Sequence, residues 1–475
     1  MKILKLALTT IFVLLVSCSG DSENPVSQTP ASNADIIDYS FGNQGLITTE
    51  GWHVDQYFAD ACLQPDGKII LTGTNNNRDY YSNLQTDFLA FRFDASGASD
   101  PGFSGDGVVV TNISGPAARK GKAFGVSVDT GGKIIIAGTN DITQTATAKY
   151  NSNGDLDTDF GNNGIVLDAF NTGYSVGQSV TTLPDGKFVV CGLNSETLTG
   201  PGPWSSGNKP WGNGTLALGL IKYNADGSRD TSFGNNGVVL QPLRPMLYVG
   251  YAYTYGYYML DQWMHTKIIA DNSGKLIVCT GIMAGENNPF SDIDGNNLFR
   301  YNADGSLDLS FGTDGRKTLT ATYSNGRSRT AFATAPGNGY FFGGQSNANY
   351  ESSVFNLQKL LGNGTEDGSF NFSPFDPGIG PGYYGGMQSV AVQSTGKIII
   401  SGTYTDIGGI TYLTLCRLQP DGTPDTTFGN NSLFIKQLEN YSWGGQQKLL
   451  IDAQDRIYLA FQQEYYMAVY RFNAN

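Results

Sequence analysis

The chain has 475 residues, with 29 Lys and Arg against 42 Asp and Glu, for a formal charge of −13. Charged residues make up only 15%, aromatics reach 12%, and 62 residues are Gly, which excludes a helical protein rich in Leu, Lys and Glu. An apolar share of 40% excludes disorder, and the acidic balance excludes the basic footprint that nucleic acid requires.

In chain order, Met1-Lys2-Ile3-Leu4-Lys5 is a short basic segment. Leu6 to Val16 is an apolar run of signal-peptide length, too short to span a bilayer. Leu15-Val16-Ser17-Cys18 then resembles the bacterial lipobox, whose Cys becomes the lipidated first residue. The resemblance implies a lipoprotein signal peptide over 1–17 and lipidation of Cys18, with an ordinary secretory signal as the alternative. Several acyl chains anchor a protein without a membrane-spanning helix. Ser19 to Asn33 is polar, with two Pro and no aromatic, so 18–33 reads as a lipidated Cys followed by a flexible tether. Asp21 and Glu23 resemble the export signal of surface lipoproteins in Bacteroidetes-type bacteria. An outer-membrane lipoprotein exposed at the surface is therefore expected, with a charge of −15 once Lys2 and Lys5 are removed from the −13 total.

From residue 34 onward two motifs alternate. The first is a turn followed by a β-branched run: PDGKIILTG (65–73), TGGKIIIAG (130–138), PDGKFVVCG (184–192), NSGKLIVCTG (272–281), GNGYFFGG (337–344), STGKIIISG (394–402) and AQDRIYLA (453–460). The second includes KYNSNGDLDTDF (149–160), KYNADGSRDTSF (222–233), RYNADGSLDLSF (300–311) and RLQPDGTPDTTF (417–428). Each repeat predicts four antiparallel strands, a to d, with Asp-Gly and Asn-Gly pairs marking tight hairpins. Four strands in about sixty residues is a propeller blade. The chain ends in Arg471-Phe472-Asn473-Ala474-Asn475, the first half of motif two, while Asp38-Tyr39-Ser40-Phe41-Gly42 is its second half. The expected fold is therefore all-β: a seven-bladed β-propeller of four-stranded antiparallel blades. An N-terminal strand near Gly45–Thr49 completes the C-terminal blade, so that 34–475 forms one domain. Motif two, with its Lys-Tyr-Asn-Ala-Asp-Gly-Ser and Phe-Gly-Asn-Asn-Gly runs, resembles the delta-sixty repeat family of bacterial β-propellers. That resemblance implies the fold and says little about activity. Repeat five departs most, reading Tyr340 where the turn Lys stands elsewhere and Leu360-Leu361 for Tyr-Asn.

Two insertions break the period, at 194–215 between strands b and c of the third repeat and at 241–264 before the next strand a. In a four-stranded blade both connections emerge on one face. Trp204, Trp211 and Trp263 lie in them, and Tyr251, Tyr253, Tyr255 and Tyr257 alternate with small residues. Trp52 with His53, the pair Tyr383-Tyr384, and Trp443 fall in d–a connections of the same face. Flat amphipathic rings suit a sugar or other polar ligand; packing of the insertions onto the blades is the alternative.

The repeated Asn-x-Asp-Gly-x-x-Asp loosely resembles the calcium loops of other propellers. Its first position is instead cationic: Arg92, Lys149, Lys222, Arg300, Lys359, Arg417 and Arg471. Opposite stand Asp100, Asp157, Asp230, Asp308, Asp367, Asp425 and Asp38. An ion pair across each c–d hairpin, plugged by Phe, is expected instead of metal. Cys62, Cys191, Cys279 and Cys416 read as free thiols. Only His53 and His265 are present, which excludes a three-His zinc site. No cofactor and no metal are expected. The leading expectation is a non-catalytic envelope lipoprotein, held at the membrane by Cys18, whose loop-rich face binds a glycan or an envelope protein. A carboxylate-dependent glycan hydrolase or lyase and a structural role in an outer-membrane complex are the alternatives.

Overall fold

Runs such as Ile69-Ile70-Leu71 and Ile134-Ile135-Ile136 are apolar on both faces, the pattern of strands covered from both sides. All six side chains are fully buried. In the computed structural model, the described residues are 36–51, 55–78, 84–115, 120–141, 143–195, 214–246, 264–271, 273–282, 297–318, 331–349, 352–374, 382–406, 408–438 and 446–474. They form seven antiparallel sheets, the blades of a propeller.

Taking strands a to d outward from the axis, blade one is Asp55–Leu63, Ile69–Arg78, Leu84–Phe93 and Val108–Thr111. Blade two is Gly121–Val128, Ile134–Asn140, Gln144–Tyr150 and Ile165–Asp168. Blade three is Tyr174–Thr182, Phe188–Ser195, Gly214–Tyr223 and Val238–Met246. Blade four is Met264–Ala270, Leu276–Ile282, Asn297–Tyr301 and Arg316–Thr318. Blade five shows three strands among the described residues, Ala331–Ala335, Gly339–Asn349 and Ser352–Leu360. Blade six is Gly382–Val392, Ile398–Asp406, Thr411–Leu418 and Leu433–Leu438. Blade seven is Gln447–Ile451, Ile457–Gln463 and Tyr466–Phe472, completed by Leu46–Thr48 as its strand d. Leu46 pairs with Tyr470 and Thr48 with Ala468, so the two ends of the chain close the ring and cover one sheet edge.

The b and c strands together supply most of the core, since they are covered from both sides by neighbouring blades. Burying a side chain of Ile or Leu size is worth about 1.5–3 kcal/mol. Strand a carries a bulge in blades one, two, three and six, where the register skips Ala59, Phe124, Gln178 and Gln388. The bulge explains the Gly that ends motif one. A Cβ on Gly138 would stand 1.9 Å from the Lys122 carbonyl oxygen, and one on Gly192 would stand 1.9 Å from that of Val176.

Motif two makes the contacts between blades. Arg92 Nε meets Asp100 Oδ2 at 2.7 Å, and the same 2.7 Å pair joins Arg300 to Asp308, Arg417 to Asp425 and, across the chain ends, Arg471 to Asp38. Each guanidinium lies over the plug ring of its own hairpin, 4.3–4.7 Å from the centroids of Phe103, Phe311, Phe428 and Phe41. Each also donates through a second nitrogen to a carbonyl of the next blade: Arg92 to Ser152, Arg300 to Gly362, Arg417 to Ala474 at 2.8 Å, and Arg471 to Ala95 at 2.6 Å. A backbone bond runs alongside, as from Gly161 N to Asp226 O at 2.8 Å and from Gly42 N to Ser96 O at 2.7 Å. The ring is thus stapled blade to blade by one repeated turn.

One Lys repeat corrects the expectation of an ion pair within every hairpin, while Lys222 and Lys359 keep theirs. Lys149 Nζ reaches the next blade at Ala225 O, 3.0 Å away, and pairs with Asp129 at 3.5 Å rather than with Asp157. Asp157 is taken at 2.7 Å by Lys133 of the a–b turn. Lys222 lies 3.6 Å from Asp230, which Lys187 holds at 2.8 Å. A planar guanidinium fork fits its own Asp and the next blade's carbonyl together, whereas the ammonium of Lys149 reaches the carbonyl and leaves Asp157 to the turn Lys. The turn cation joins the Arg hairpins too, as with Lys397 and Asp425 at 2.9 Å.

Three boundaries differ from expectation. In blade three, strand c starts at Gly214 and strand d runs to Met246, so the edges of both insertions are strand. In blade five Tyr340 pairs with Leu360 and Phe341 with Lys359, which puts Gly339, not Tyr340, at the turn-cation position. Finally, residues 371–374 continue from the blade-five hairpin without strand pairing.

Candidate functional site

Strand direction sorts the ring into two faces. The a–b and c–d turns lie on one; the b–c and d–a connections lie on the other. Gly214 and Met246 are register partners, so the second insertion leaves blade three directly opposite the point where the first one rejoins it. Met264 pairs with Ile282 at the same end of blade four. The roots of 196–213, 247–263 and 283–296 are thereby grouped on one face of two adjacent blades.

Trp52, His53, Trp204, Trp211, Tyr251, Tyr253, Tyr255, Tyr257, Trp263 and Trp443 lie outside the described residues, as does Cys18. Tyr383 and Tyr384 sit in the opening residues of strand a of blade six, where Tyr384 pairs with Thr405. His265 pairs through its backbone with Gly281. The structure thus supplies roots for the aromatic segments and brings none of these side chains into a described site.

The described residues do enclose a space that the sequence reading missed. The seven a strands line a central cavity of about 510 Å³. Its charged residues are Asp60, Lys267 and Lys448. Lys448 Nζ lies 3.2 Å from Asp60 Oδ1, and Asp60 Oδ2 accepts Val126 N of the next blade at 3.4 Å. The seven residues at one level follow from the registers: Asp60 opposite Thr72, Gly125 opposite Ala137, Ser179 opposite Cys191, Lys267 opposite Cys279, Ala331 opposite Gly343, Ser389 opposite Ser401, and Lys448 opposite Ala460. In six of them this is the residue eight before the turn cation. Aligning the repeats on that cation would have exposed three charges where other blades carry small side chains.

The cavity lining holds one carboxylate, Asp60, already bound to a lysine, so the described part of the channel offers no acid–base pair for glycoside cleavage. Among the described residues no three His, Cys, Asp or Glu side chains converge as metal ligands. The four described cysteines are free, and burial pushes the thiols of Cys191 and Cys416 up to about 12, so neither is a nucleophile at neutral pH. No helix among the described residues is long and apolar enough to cross a membrane.

Five segments of the chain, 64–103, 132–160, 209–233, 273–311 and 393–428, match the family described as a domain of unknown function (DUF5122) beta-propeller. The match and the seven-bladed ring together support a propeller family. No curated protein matches the chain. Among solved structures, a glucose dehydrogenase is 13% identical with a TM-score of 0.37, over 73% of this chain and 95% of that one. The Trypanosoma rangeli sialidase is 11% identical with a TM-score of 0.39, over 91% of this chain and 59% of that one. A soluble aldose sugar dehydrogenase from Escherichia coli is 11% identical with a TM-score of 0.37, over 74% of this chain and 96% of that one.

Proposed function

We propose that this chain is a surface lipoprotein of the delta-sixty repeat type. Its propeller holds an aromatic loop face away from the membrane to bind a glycan, without chemistry of its own. One observation carries this reading. The ring is entered at Ile36, whose carbonyl accepts Asn473 N at 2.8 Å beside the c–d turn of blade seven. That is the face opposite the roots at Gly214 and Met246. A tether from Cys18 therefore joins the tight-turn face and leaves the Trp- and Tyr-bearing connections on the far side. Seventeen residues, 19–35, lie between Cys18 and Ile36. A flexible linker of that many residues spans about 20–25 Å, room enough for a polymeric ligand.

Two measurements test the reading separately. Replacing Cys18 by Ala is expected to move the protein from the membrane fraction to the soluble fraction; an unchanged distribution removes the anchor. A glycan array probed with the wild type and with Trp204, Trp211 and Trp263 all changed to Ala is expected to show binding that only the wild type retains. Equal binding by both removes the aromatic face. A folded wild type that binds no glycan moves the reading to a protein partner.

A further inference from the structure

We infer that the seam between blades seven and one carries a further subsite of the glycan-binding face, built on Tyr57, Tyr465 and Glu464, that takes a neutral sugar ring through its flat side and its adjacent hydroxyls. The inference rests on the glycan reading above. Tyr465 stands in the b–c turn of blade seven, and Tyr57 is the third residue of strand a of blade one, so both lie toward the face of the b–c and d–a connections. Tyr465 is 56% exposed and Tyr57 49%, although aromatic rings ordinarily supply the core with much of its buried area. Gln56 N donates to Tyr465 O at 2.9 Å, which brings the two ring-bearing segments side by side.

Buried amides hold that seam. Gln462 Nε2 donates to Gln56 O at 2.9 Å and to the carbonyls of Glu464 and Tyr466 at 3.1 Å, while its Oε1 accepts Phe58 N. Gln56 is tied in turn to Thr49, through its Oε1 to the hydroxyl and through its Nε2 to the carbonyl at 3.3 Å. One buried side chain thus fixes the turn that carries Tyr465 to the strand that carries Tyr57. Such a preformed arrangement lowers the ordering cost of binding. Glu464 adds the polar group. In the two-residue turn between Gln463 and Tyr466 its φ is +48°, in the left-handed region. In the b–c turns of blades two and six the left-handed residues are Asp141 and Gly409, types that adopt this conformation readily. A Gly at 464 would relieve the strain, so the reason for a Glu lies outside folding. Its carboxylate can accept two O–H bonds at once, as adjacent sugar hydroxyls offer, and the tyrosine rings suit the C–H face of a pyranose. Asp55 begins the same strand as Tyr57 and adds a second negative charge, which disfavours acidic sugars.

The test screens the full chain in mild detergent on an array of gluco-, manno-, xylo- and galacto-hexaoses, with hexagalacturonate and sialyllactose as acidic probes. The neutral hexaose that binds best is then titrated calorimetrically. Wild type is expected to bind at least one neutral hexaose. The double variant Tyr57→Ala, Tyr465→Ala is expected to bind it at least about tenfold more weakly, and Glu464→Gln about threefold more weakly. Glu464→Gly is expected to weaken binding as well while raising the melting temperature, because Gly takes the left-handed conformation without strain. Each variant is checked for the wild-type circular dichroism spectrum. The triple Trp variant separates this inference from the reading it rests on. If that variant loses binding while the folded double Tyr variant keeps wild-type affinity, the seam subsite falls and the aromatic insertions stand. If the double Tyr variant loses binding and the triple Trp variant does not, the insertions fall and the seam subsite stands. Binding of the acidic probes alone, no neutral hexaose bound by folded wild type, or a lower melting temperature for Glu464→Gly also overturns the inference.

Discussion

Blades five and six carry the same hairpin motif and use it differently. In blade six, Arg417 and Asp425 are each 1% exposed, pair at 2.7 Å, and are joined by Lys397 at 2.9 Å. Phe428 lies beneath the guanidinium, and Arg417 reaches Ala474 of blade seven. In blade five, Lys359 and Asp367 pair at 3.0 Å, with Gly339 where a turn cation stands elsewhere. Phe370 is only half buried, stacks on Phe372 and meets no cation among the described residues. Gly339 cannot simply revert, because a Cβ there would lie 2.4 Å from Leu360 O. The difference teaches that the motif is a unit. The buried carboxylate, its two cations, the ring plug and the staple to the next blade are strong together, and loosening one member loosens the rest.

Acid is the broadest way to break the comparison. Burial alone would raise the carboxyls of Asp308 and Asp425. Hydrogen bonds from Lys275 and Ser310 in the one case, and from Thr427 and Lys397 in the other, with the charges of Arg300 and Arg417, hold them far below the ordinary range. Lys187 and Ser232 do the same for Asp230. Ser369 and Lys359 bring Asp367 down to about 2. A depressed folded pKa adds stability above the unfolded value, near 3.9, that is lost as pH falls toward the folded one. The melting temperature should therefore hold steady from pH 7 to about 5 and fall continuously from there to pH 2. A melting temperature that is flat across the acid range would contradict these pairs.

Single substitutions sharpen the contrast. Asp425→Ala leaves Arg417 buried without its partner and should cost about 3–5 kcal/mol in urea unfolding. Gly192→Ala forces a Cβ against the Val176 carbonyl at the blade-three bulge and should cost about 1–3 kcal/mol, with the melting temperature reporting it. Asp367→Ala, in the looser hairpin, should cost only about 0.2–1 kcal/mol. Equal losses for Asp425→Ala and Asp367→Ala would mean that the two hairpins are not energetically different.

Much of this was legible in the chain. The repeat spacing, the β-branched runs and the split of motif two between Asp38 and Arg471 led to seven blades and a ring closed by the N-terminal strand. Both signals are local: a turn needs its Gly, and a doubly covered strand needs an unbroken apolar run. The pairing of Arg92, Arg300 and Arg417 with an Asp eight residues away, and of Arg471 with Asp38 in the split copy, was legible because a hairpin brings these motif positions together. Tertiary structure alone decided which cation serves Asp157, because Lys133 comes from the other motif and Lys149 is drawn to the neighbouring blade. It alone decided the cavity level. Asp60, Lys267 and Lys448 come from three widely separated repeats, and the bulge at Ala59 shifts the inward parity of its strand, so buried Phe58 is followed by buried Ala61. Alternation is a property of one strand, whereas a channel is made by seven strands around an axis. Its chemistry exists only once the ring is closed.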